Sequence, residues 1–320
     1  EGYSIRYFFY LCTTINFDLY KYGSAIPSMT QGHLNEIKFT LPISLNEQTQ
    51  IAKYLDYKTN QIEILIANKK RLIELLKEER TAIINQTVTK GINPKVKLKP
   101  SGIQWLGDIP EHWIQSRIKY VCDIIGRIGF RGYTVADLVP KGEGAISLSP
   151  SNIKNQTLDI NECTYLSWEK YNESPEIKIF QGDIIIVKTG STIGKVALVP
   201  KGQPEMTLNP QLVVMKNIRI DSRFLYYSMI SDYFQGYFNI YSAGGSTPAI
   251  SQEKINNFNI AYPSIEEQIK IADYIEEKNE KLAKLEKRYV NEIELLKEYK
   301  TALISEVVTG KVDVRDEVIK

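Results

Sequence analysis

The chain has 320 residues, of which 43% are hydrophobic, and it carries a formal net charge of +2. This length suffices for two domains with buried cores, and the nearly balanced charge excludes a global positive field. A nucleic-acid partner must therefore be indicated by local clusters of basic residues. Cys12, Cys122 and Cys163 lack metal-ligand spacing and no secretory signal is recognisable, so we expect reduced thiols in a cytoplasm. No apolar stretch approaches the ~18 residues of a membrane-spanning helix.

Residues 1–41 have a counterpart further along the chain. Arg6-Tyr7-Phe8-Phe9-Tyr10 returns as Arg223-Phe224-Leu225-Tyr226-Tyr227, and Gly23-Ser24 with Pro27 returns as Gly245-Ser246 with Pro248. The stretch from about 100 to 222 has no counterpart ahead of the first copy. We therefore expect 1–41 to be the C-terminal part of a first globular domain that is truncated in this chain.

Residues 42–92 form a segment that returns at 263–320. When Gln48 is placed on Gln268, the copies match without a gap, and Ile73-Glu74-Leu75-Leu76-Lys77-Glu78 recurs letter for letter as Ile293-Glu294-Leu295-Leu296-Lys297-Glu298. Each copy opens with Pro and closes with Gly, which are typical of helix starts and ends. The repeat therefore predicts two long helices, each of about 40 residues and about 60 Å.

The two predicted helices carry a seam typical of a coiled coil. Apolar residues are spaced three, seven and four apart from Ile62 to Ile83, and the second copy follows the same grid from Leu282. Polar residues interrupt the seam at Lys69, Glu79 and Glu292. We predict an antiparallel coiled coil; the alternative is two surface helices on separate globules. The predicted pairing residues are Leu65, Leu72, Leu76, Ile83, Leu285, Leu296 and Leu303.

Residues 93–262 are predicted to be a second globular domain with an N-terminal basic linker. Its middle has short β-branched runs between Gly, Pro and Asn turns, which predict strands. The continuous apolar run at 183–187 predicts a central strand, and 223–237 has helical spacing. The predicted strands are Ala145–Leu148, Ile177–Phe180, Asp183–Lys188, Lys195–Val199 and Leu212–Lys216. The fold class is therefore α+β.

The turn after the central strand is a candidate DNA-contacting loop. It differs from a P-loop because three residues separate Gly190 and Gly194, and Val196 follows the lysine. It combines backbone N–H groups, hydroxyls and ammonium groups, which suits DNA phosphates or base edges. A purely structural hairpin is the alternative. The candidate residues are Lys188, Thr189, Ser191, Thr192 and Lys195.

Two further loops are candidate DNA contacts. Arg127 and Arg131 lie on a Gly-rich stretch, and arginine suits bidentate contact with guanine. Ser246 and Thr247 lie on a polar loop beside aromatic residues. Surface solvation of the arginines and a plain β-turn are the respective alternatives.

Signals for catalysis are weak, so we predict a protein that is not an enzyme. Asn209-Pro210-Gln211-Leu212 only partly matches an amino-methyltransferase motif, and Glu176-Ile177-Lys178 lacks the acidic partner of a nuclease site. His33 and His112 stand in unrelated contexts and indicate no metal site.

The order of these pieces resembles the specificity (S) subunit of type I restriction-modification systems over nearly the whole chain. The resemblance rests on four runs. They are Trp105-Leu106-Gly107-Asp108-Ile109-Pro110 with Trp113, Gly182-Asp183-Ile184-Ile185 with Thr189-Gly190-Ser191 and Gly194-Lys195-Val196-Ala197, Gly245-Ser246-Thr247-Pro248 with Ile250-Ser251, and Pro263 with Glu267-Gln268 and Ile271-Ala272.

This resemblance implies a non-catalytic reader of double-stranded DNA. It implies that residues 1–41 and 93–262 belong to two target-recognition domains, each reading half of a split sequence. It further implies that the helices at 42–92 and 263–320 set the half-site spacing and dock two methyltransferase (modification) subunits, joined by a restriction/motor subunit. S-adenosylmethionine, ATP and Mg²⁺ would belong to those partners, and this chain would bind no cofactor.

Two other functions fit the same residues less closely. A helical scaffold could assemble protein partners while its β-rich domain binds protein instead of DNA. A free-standing nuclease or methyltransferase is the third hypothesis, and binding of S-adenosylmethionine by the isolated chain would favour it.

Overall fold

The protein was analysed as a computed structural model that describes residues 2–20, 28–103, 106–242 and 248–318. The chain folds into two compact units, and each is described by itself. Unit 1 comprises 1–77 and 282–320, and unit 2 comprises 78–281. Both units contain parts of the two long helices, whereas the predicted division placed those helices in segments of their own.

Both predicted long helices are present. They are α3, Leu45–Lys90, and α9, Ile265–Val308. None of the described helices has a stretch long and apolar enough to cross a membrane. The remaining α-helices are α1 (Ile5–Thr13), α2 (Gln31–Asn35), α4 (Ile118–Val121), α5 (Trp168–Asn172), α6 (Ser222–Ile230), α7 (Asp232–Ser242) and α8 (Gln252–Asn256).

The strands all lie in unit 2. They are β1 (Leu98–Pro100), β2 (Asp108–Pro110), β3 (Ile114–Arg117), β4 (Asp123–Gly126), β5 (Leu138–Val139), β6 (Gly144–Leu148), β7 (Ile153–Lys154), β8 (Thr157–Leu158), β9 (Thr164–Ser167), β10 (Ile184–Val187), β11 (Val196–Leu198), β12 (Met206–Leu208), β13 (Leu212–Lys216) and β14 (Asn259–Tyr262).

In unit 1 the N-terminal part of α3 pairs with the C-terminal part of α9. Lys69 forms an ion pair with Glu292, and Lys300 Nζ lies 2.5 Å from Glu63 Oε1. Because residue numbers rise on one helix as they fall on the other, the two segments run antiparallel, as predicted. The polar interruptions at Lys69 and Glu292 therefore form a cross-helix contact, with side chains 24% and 28% exposed.

The buried positions of the long helices recur every eleven residues. On α3 the inward residues of this series are Ile51, Ile62, Ile73 and Ile84, and on α9 they are Ile271, Leu282, Ile293 and Ile304. All are buried except Ile73, which is half-buried. Eleven residues in three turns give ~3.67 residues per turn, which stays close to the natural period of the α-helix.

This period corrects the predicted heptad seam. Leu65, Leu72 and Leu285 are 48%, 40% and 39% exposed, so their prediction as pairing residues is wrong. A heptad stripe drifts by ~20° every seven residues on a straight helix, which carries these leucines off the buried face. Leu303 is buried as predicted, at 7% exposure. The predicted residues that are half-buried are Leu76, Ile83 and Leu296.

Unit 2 is built on two four-stranded sheets. The first has the order β11-β10-β13-β4 with antiparallel neighbours, and the second has the order β12-β6-β9-β5. All four residues of β10 are 0% exposed, and β10 lies between β11 and β13, so the predicted central strand is confirmed. The predicted α+β class is thereby confirmed as well.

Most predicted strands are present, but Ile177–Phe180 is not a strand. Pro175 opens a 3-10 turn, Pro175–Ile177, and only Ile179 forms an isolated bridge, to Met206. Ile177 and Ile179 point inward while Phe180 is 59% exposed, and this alternation imitates a strand in the sequence. The predicted linker also ends early, because its last residues form β1, which pairs with β2.

The predicted helical segment 223–237 is two helices that meet at Ser231. Ser231 has an extended backbone, which ends α6, and the N–H of Asp232 donates to Asn85 Oδ1 on α3 at 2.8 Å. A polar acceptor at a helix start satisfies a free N–H group, so α3 supplies the cap of α7.

Candidate nucleic-acid interface

Four separate loops meet at one end of the first sheet. β10 ends at Val187 opposite Leu212, where β13 begins, and β4 ends at Gly126 opposite Val213. The loops that leave these strand ends are 126–133, 188–195 and 209–211. The segment 248–250 joins them, because Ile250 N–H donates to the carbonyl of Lys188 at 2.9 Å. We call this end of the sheet the reading edge.

The loop 188–195 is a tight hairpin connection between β10 and β11. Gly194 N–H donates to Val187 O at 2.9 Å, Ile193 N–H to Gly190 O at 3.1 Å and Lys195 N–H to Thr192 O at 3.2 Å. These three donors are therefore already used within the hairpin. Any anion contact depends chiefly on its side chains.

The side chains of this loop remain available. Lys188 and Lys195 are half-buried, and neither makes a side-chain hydrogen bond or ion pair with the described part of the chain. Ser191 is exposed at the tip, whereas Thr189 and Thr192 are half-buried. Because lysine carries its ammonium on a long apolar stem, a half-buried body can still present its charge to a phosphate.

Helix α7 fixes the position of this loop. Gln235 Nε2 donates to Gly194 O at 3.0 Å, and a Cβ added at Gly194 would lie 3.0 Å from Phe238 Cγ. Gly194 has φ of 83°, so both its backbone conformation and its close contact favour glycine. The loop is therefore held against a rigid helix while its tip stays polar.

The segment 248–250 lies beside the hairpin. Gly190 N–H donates to Pro248 O at 2.9 Å, and Thr189 forms a β-bridge with Ala249. The candidates Ser246 and Thr247, and Trp105 of the family-like motif, lie outside the residues that the structure describes.

Arg127 does not take the predicted role of an exposed base reader. It is only 6% exposed, and its Nε donates to Leu208 O at 2.9 Å. Its other donors reach Thr207 Oγ1 at 3.2 Å and Arg131 O at 3.2 Å. Because the guanidinium is enclosed between strands and bonded to the protein, it lacks the exposure that a base reader needs; contact of Arg127 with DNA stays a prediction.

Arg131 reaches the surface in part. Its side chain is 35% exposed and lies 3.4 Å from Glu176 Oε1. An ion pair at this distance and exposure is weak. Its role in reading guanine stays a prediction.

Two polar residues at this edge were missed by the sequence reading. Gln211 is exposed on the turn between β12 and β13, where its N–H donates to Asn209 Oδ1 at 3.0 Å. Lys254 on α8 is exposed, with its ammonium 5.3 Å from the centre of the Tyr241 ring. The Asn-Pro-Gln turn is visible in the sequence, but its partial likeness to a methyltransferase motif does not indicate a DNA contact.

The described residues show no cluster suited to a metal ion. Across 2–20, 28–103, 106–242 and 248–318, no group of three or more His, Cys, Asp or Glu side chains is arranged to hold one. His112 instead forms a contact of 2.8 Å with Glu267 Oε2, and the same carboxylate accepts from Trp113 Nε1 at 3.2 Å. This arrangement joins the start of α9 to the segment between β2 and β3 in unit 2.

Solved structures share this combination of long helices and β-rich domain. A chain from a structure concerned with complex assembly and conformational transition of the type I R-M system matches with a TM-score of 0.75 and 16% identity, covering 97% of this chain and 72% of that chain. The HsdS subunit from Thermoanaerobacter tengcongensis matches with a TM-score of 0.58 and 17% identity, covering 96% and 70%. The fold is therefore that of type I specificity subunits.

The chain belongs to the Type I restriction modification DNA specificity domain family, whose model matches residues 3–75 and 110–295. The MjaVIII specificity subunit of Methanocaldococcus jannaschii is 26% identical over 300 residues, which are 92% of this chain and 66% of that protein. The EcoDI specificity subunit of Escherichia coli is 26% identical over 271 residues, or 80% and 58%. The chain thus spans less than two thirds of the length of these relatives.

Proposed function

We propose that this chain is a sequence-specific DNA-recognition subunit of a type I restriction-modification complex. The β-rich domain in unit 2 reads one half of a split target, and the long helices dock methyltransferase subunits. Methylation, ATP-dependent cleavage and the binding of S-adenosylmethionine, ATP and Mg²⁺ are then tasks of partner subunits, including a restriction/motor subunit. Support comes from membership of the specificity-domain family and from similarity to named specificity subunits.

The observation that carries the DNA-reading role is the composition of the reading edge. Four loops that are distant in sequence meet there, and they present two lysines without a partner in the described part of the chain, an exposed glutamine and a partly exposed arginine. Lysine suits phosphate, whereas glutamine and arginine suit adenine and guanine edges. One rigid sheet therefore supports both kinds of contact that a sequence-specific reader requires.

Substitution of the two free lysines tests this role. Lys188→Ala and Lys195→Ala should each weaken binding to all duplexes by a similar factor and reduce the salt slope of log Kd by about one. The measurement is anisotropy competition at two salt concentrations against a duplex library with a randomised half-site. Lys201→Ala is the matched control, because Lys201 is exposed on the connection that follows the far end of β11.

The outcome separates phosphate contact from base reading. If Lys195→Ala changed the preferred bases while the salt slope stayed intact, its assignment to phosphate would be wrong. If the reading-edge variants and Lys201→Ala behaved alike, DNA would bind elsewhere on the domain.

Arg131 should affect preference at a single base pair. If its guanidinium leaves Glu176 for guanine, Arg131→Ala should lower discrimination at one position by about 1–3 kcal/mol and leave the other positions unchanged. The same library, sequenced after selection with wild type and variant, measures this change. A uniform loss at all positions would instead indicate a general contact.

Docking of methyltransferase subunits is supported by the apolar side chains that the long helices leave uncovered. Leu72 and Leu285 in unit 1 are 40% and 39% exposed and lie off the buried stripe. Leu72→Ser and Leu285→Ser should weaken association with a methyltransferase subunit without changing the denaturation midpoint, since neither side chain fills the core. Addition of that subunit should also tighten DNA binding; unchanged association of both variants would exclude this face as the docking surface.

A further inference from the structure

Arg127 is an enclosed charge at the reading edge, directly after β4. Its guanidinium uses three donor atoms on three different acceptors, Leu208 O, Thr207 Oγ1 and Arg131 O. Its Cζ also lies 5.3 Å from the centre of the Tyr133 ring. A buried cation is retained only where its donors are satisfied, so these contacts constitute a built site for the side chain.

The contacts of Arg127 join the two sheets of unit 2. Arg127 directly follows β4 of the first sheet, while Thr207 and Leu208 belong to β12 of the second. Tyr133, which covers the guanidinium, is itself bonded to the second sheet, because its hydroxyl lies 3.2 Å from Ser147 Oγ on β6. The side chain therefore ties the loop 127–133 to the neighbouring sheet at both ends.

We call Arg127 together with its acceptors Leu208, Thr207 and Arg131 the clamp. The two loops that carry base-reading candidates, 126–133 and 209–211, are both attached to it. The carbonyl of Arg131 accepts directly from Arg127, which sets the point from which the Arg131 side chain leaves the backbone. Leu208 is followed by the turn that carries Gln211, and the carbonyl of Gln211 accepts from Lys188 N–H at 2.9 Å. A shift of the guanidinium would thus move the arginine loop and the glutamine turn relative to each other.

The geometry requires arginine, and lysine would not replace it. The planar guanidinium carries five N–H donors in a fixed fork, whereas an ammonium is a single point with three donors. Burial lowers the pKa of the Arg127 guanidinium, and the charges of Tyr133, Glu173, Glu176 and Asp137 oppose that shift. The guanidinium donors are nevertheless satisfied by acceptors within the domain, so no phosphate is needed to hold the side chain in place.

We propose that Arg127 is a positioning residue that determines the sequence preference of the reading edge without touching DNA. It holds the Arg131 loop and the Gln211 turn at the separation needed to contact neighbouring base edges at the same time. This inference rests on the proposed DNA-reading function. This role differs from that of a residue that contacts a base or a phosphate, because Arg127 acts only through the positions of Arg131 and Gln211.

Arg127→Lys tests the proposal by two independent measurements. In protein without DNA, hydrogen exchange at the amides of Arg131, Gly132 and Gln211 should accelerate by at least about 10-fold, because their loops lose a shared anchor. In competition binding, discrimination between the best half-site and the remaining library should fall about 10-fold, while the affinity for random duplex and the salt slope stay unchanged. Thr207→Val keeps the arginine and removes one acceptor, so it should give smaller changes in the same direction.

Arg219→Lys serves as the matched control. Arg219 pairs with Asp123 at the opposite end of β4, with an Nη2–Oδ1 distance of 2.9 Å and 51% side-chain exposure. This variant should leave both measurements unchanged.

Three results would overturn the proposal. Unchanged exchange in Arg127→Lys and Thr207→Val would show that Arg127 holds neither loop. Faster exchange with unchanged base preference would show that the clamp does not set specificity. A lower salt slope in Arg127→Gln, which removes the charge, would show direct contact with phosphate. Failure of the DNA-reading function itself would look different, since wild-type protein would then show no preferred half-site while the exchange measurement still reports on the clamp.

Discussion

The two units of the chain repeat one structural motif around different partners. In each unit a short helix crosses the start of a long one, α1 on α3 in unit 1 and α6 on α9 in unit 2. A buried glutamine stands at the same place in both. Gln48 Nε2 donates to Pro42 O at 2.8 Å and its Oε1 accepts from Ser4 N–H at 2.9 Å. Gln268 donates to Pro263 O at 2.9 Å and accepts from Asp221 N–H at 2.8 Å.

The units differ in what covers the outer face of the short helix. In α6, Leu225 and Met229 are 0% exposed because the β-rich domain packs against them. The repeat-equivalent residues in α1 are Phe8, which is half-buried, and Cys12, which is exposed. Phe9, the equivalent of Tyr226, is 51% exposed.

The helix junction itself is the same in both units. The glutamine, the proline carbonyl and the cap of the short helix form equivalent contacts in each. The junction is therefore built from residues of the short and the long helix, whereas burial of Leu225 and Met229 also uses the sheet of unit 2.

Removal of the buried glutamine should have the largest effect. Gln48→Leu and Gln268→Leu each leave one backbone N–H and one carbonyl without a partner, at about 1–3 kcal/mol for each group, or about 2–6 kcal/mol in total. Gln268 should lie towards the upper end because its bond to Pro263 is buried, whereas that of Gln48 to Pro42 is part-buried. Urea unfolding measures both changes.

Gln61→Leu provides the control for that comparison. Gln61 is exposed on α3, and a surface substitution of this kind should change the free energy of unfolding by less than about 0.5 kcal/mol. If Gln48→Leu were as mild as Gln61→Leu, the two junctions would not be equivalent.

The next largest difference between the units should come from shortening apolar side chains on the inward faces of the long helices. Leu303 in unit 1 is 7% exposed, while its repeat equivalent Ile83 in unit 2 is half-buried. Leu303→Ala should cost about 2–5 kcal/mol and Ile83→Ala about 1–2 kcal/mol, in proportion to the apolar surface removed. Leu65→Ala, at 48% exposure, should cost less than about 0.5 kcal/mol. Thermal and urea unfolding would contradict the assignment of buried and exposed positions on these helices if Leu65→Ala proved as costly as Leu303→Ala.

Removal of the ion pairs of the short helices should produce the smallest difference in unfolding free energy between the two units. Arg223 reaches Asp273 at 2.7 Å and Glu276 at 2.9 Å with 29% of its side chain exposed, whereas Arg6 meets Asp56 with 54% exposed. Arg6→Gln should cost about 0.2–1 kcal/mol, as exposed pairs do, and Arg223→Gln should cost more because it leaves two acidic partners. Equal losses in urea unfolding would remove this distinction between the units.

The pair in unit 1 should also respond to pH. Burial tends to raise the pKa of Asp56, but hydrogen bonds from Arg6 and Tyr10 outweigh it and lower that pKa. A lowered pKa in the folded state adds stability above the unfolded value of ~3.9, and this stability is lost as the pH falls through the folded value. The difference in unfolding free energy between wild type and Asp56→Asn should therefore shrink below about pH 4. A difference that grew on acidification would contradict the assigned shift.

The sequence by itself determined the elements and their repetition. The gapless match between 48–89 and 268–309 predicted α3 and α9, because a helix depends on local spacing and on its terminal Pro and Gly. The β-branched run at 183–187 predicted a central strand for a similar reason, since such a run fits only a position covered on both faces. The order of the motifs also predicted the family, which the comparison confirmed.

Only the tertiary structure decided which side of each helix or loop is buried and which is exposed. Ile66 is buried and Leu65 exposed, although both are apolar neighbours, because the direction of a side chain around the axis depends on a period summed over many turns. Arg127 and Lys195 are both basic loop residues in the sequence, yet one is enclosed between two sheets and the other is not. That outcome depends on where β12 lies beside β4, and no local pattern contains this information, because the contact joins segments about 80 residues apart.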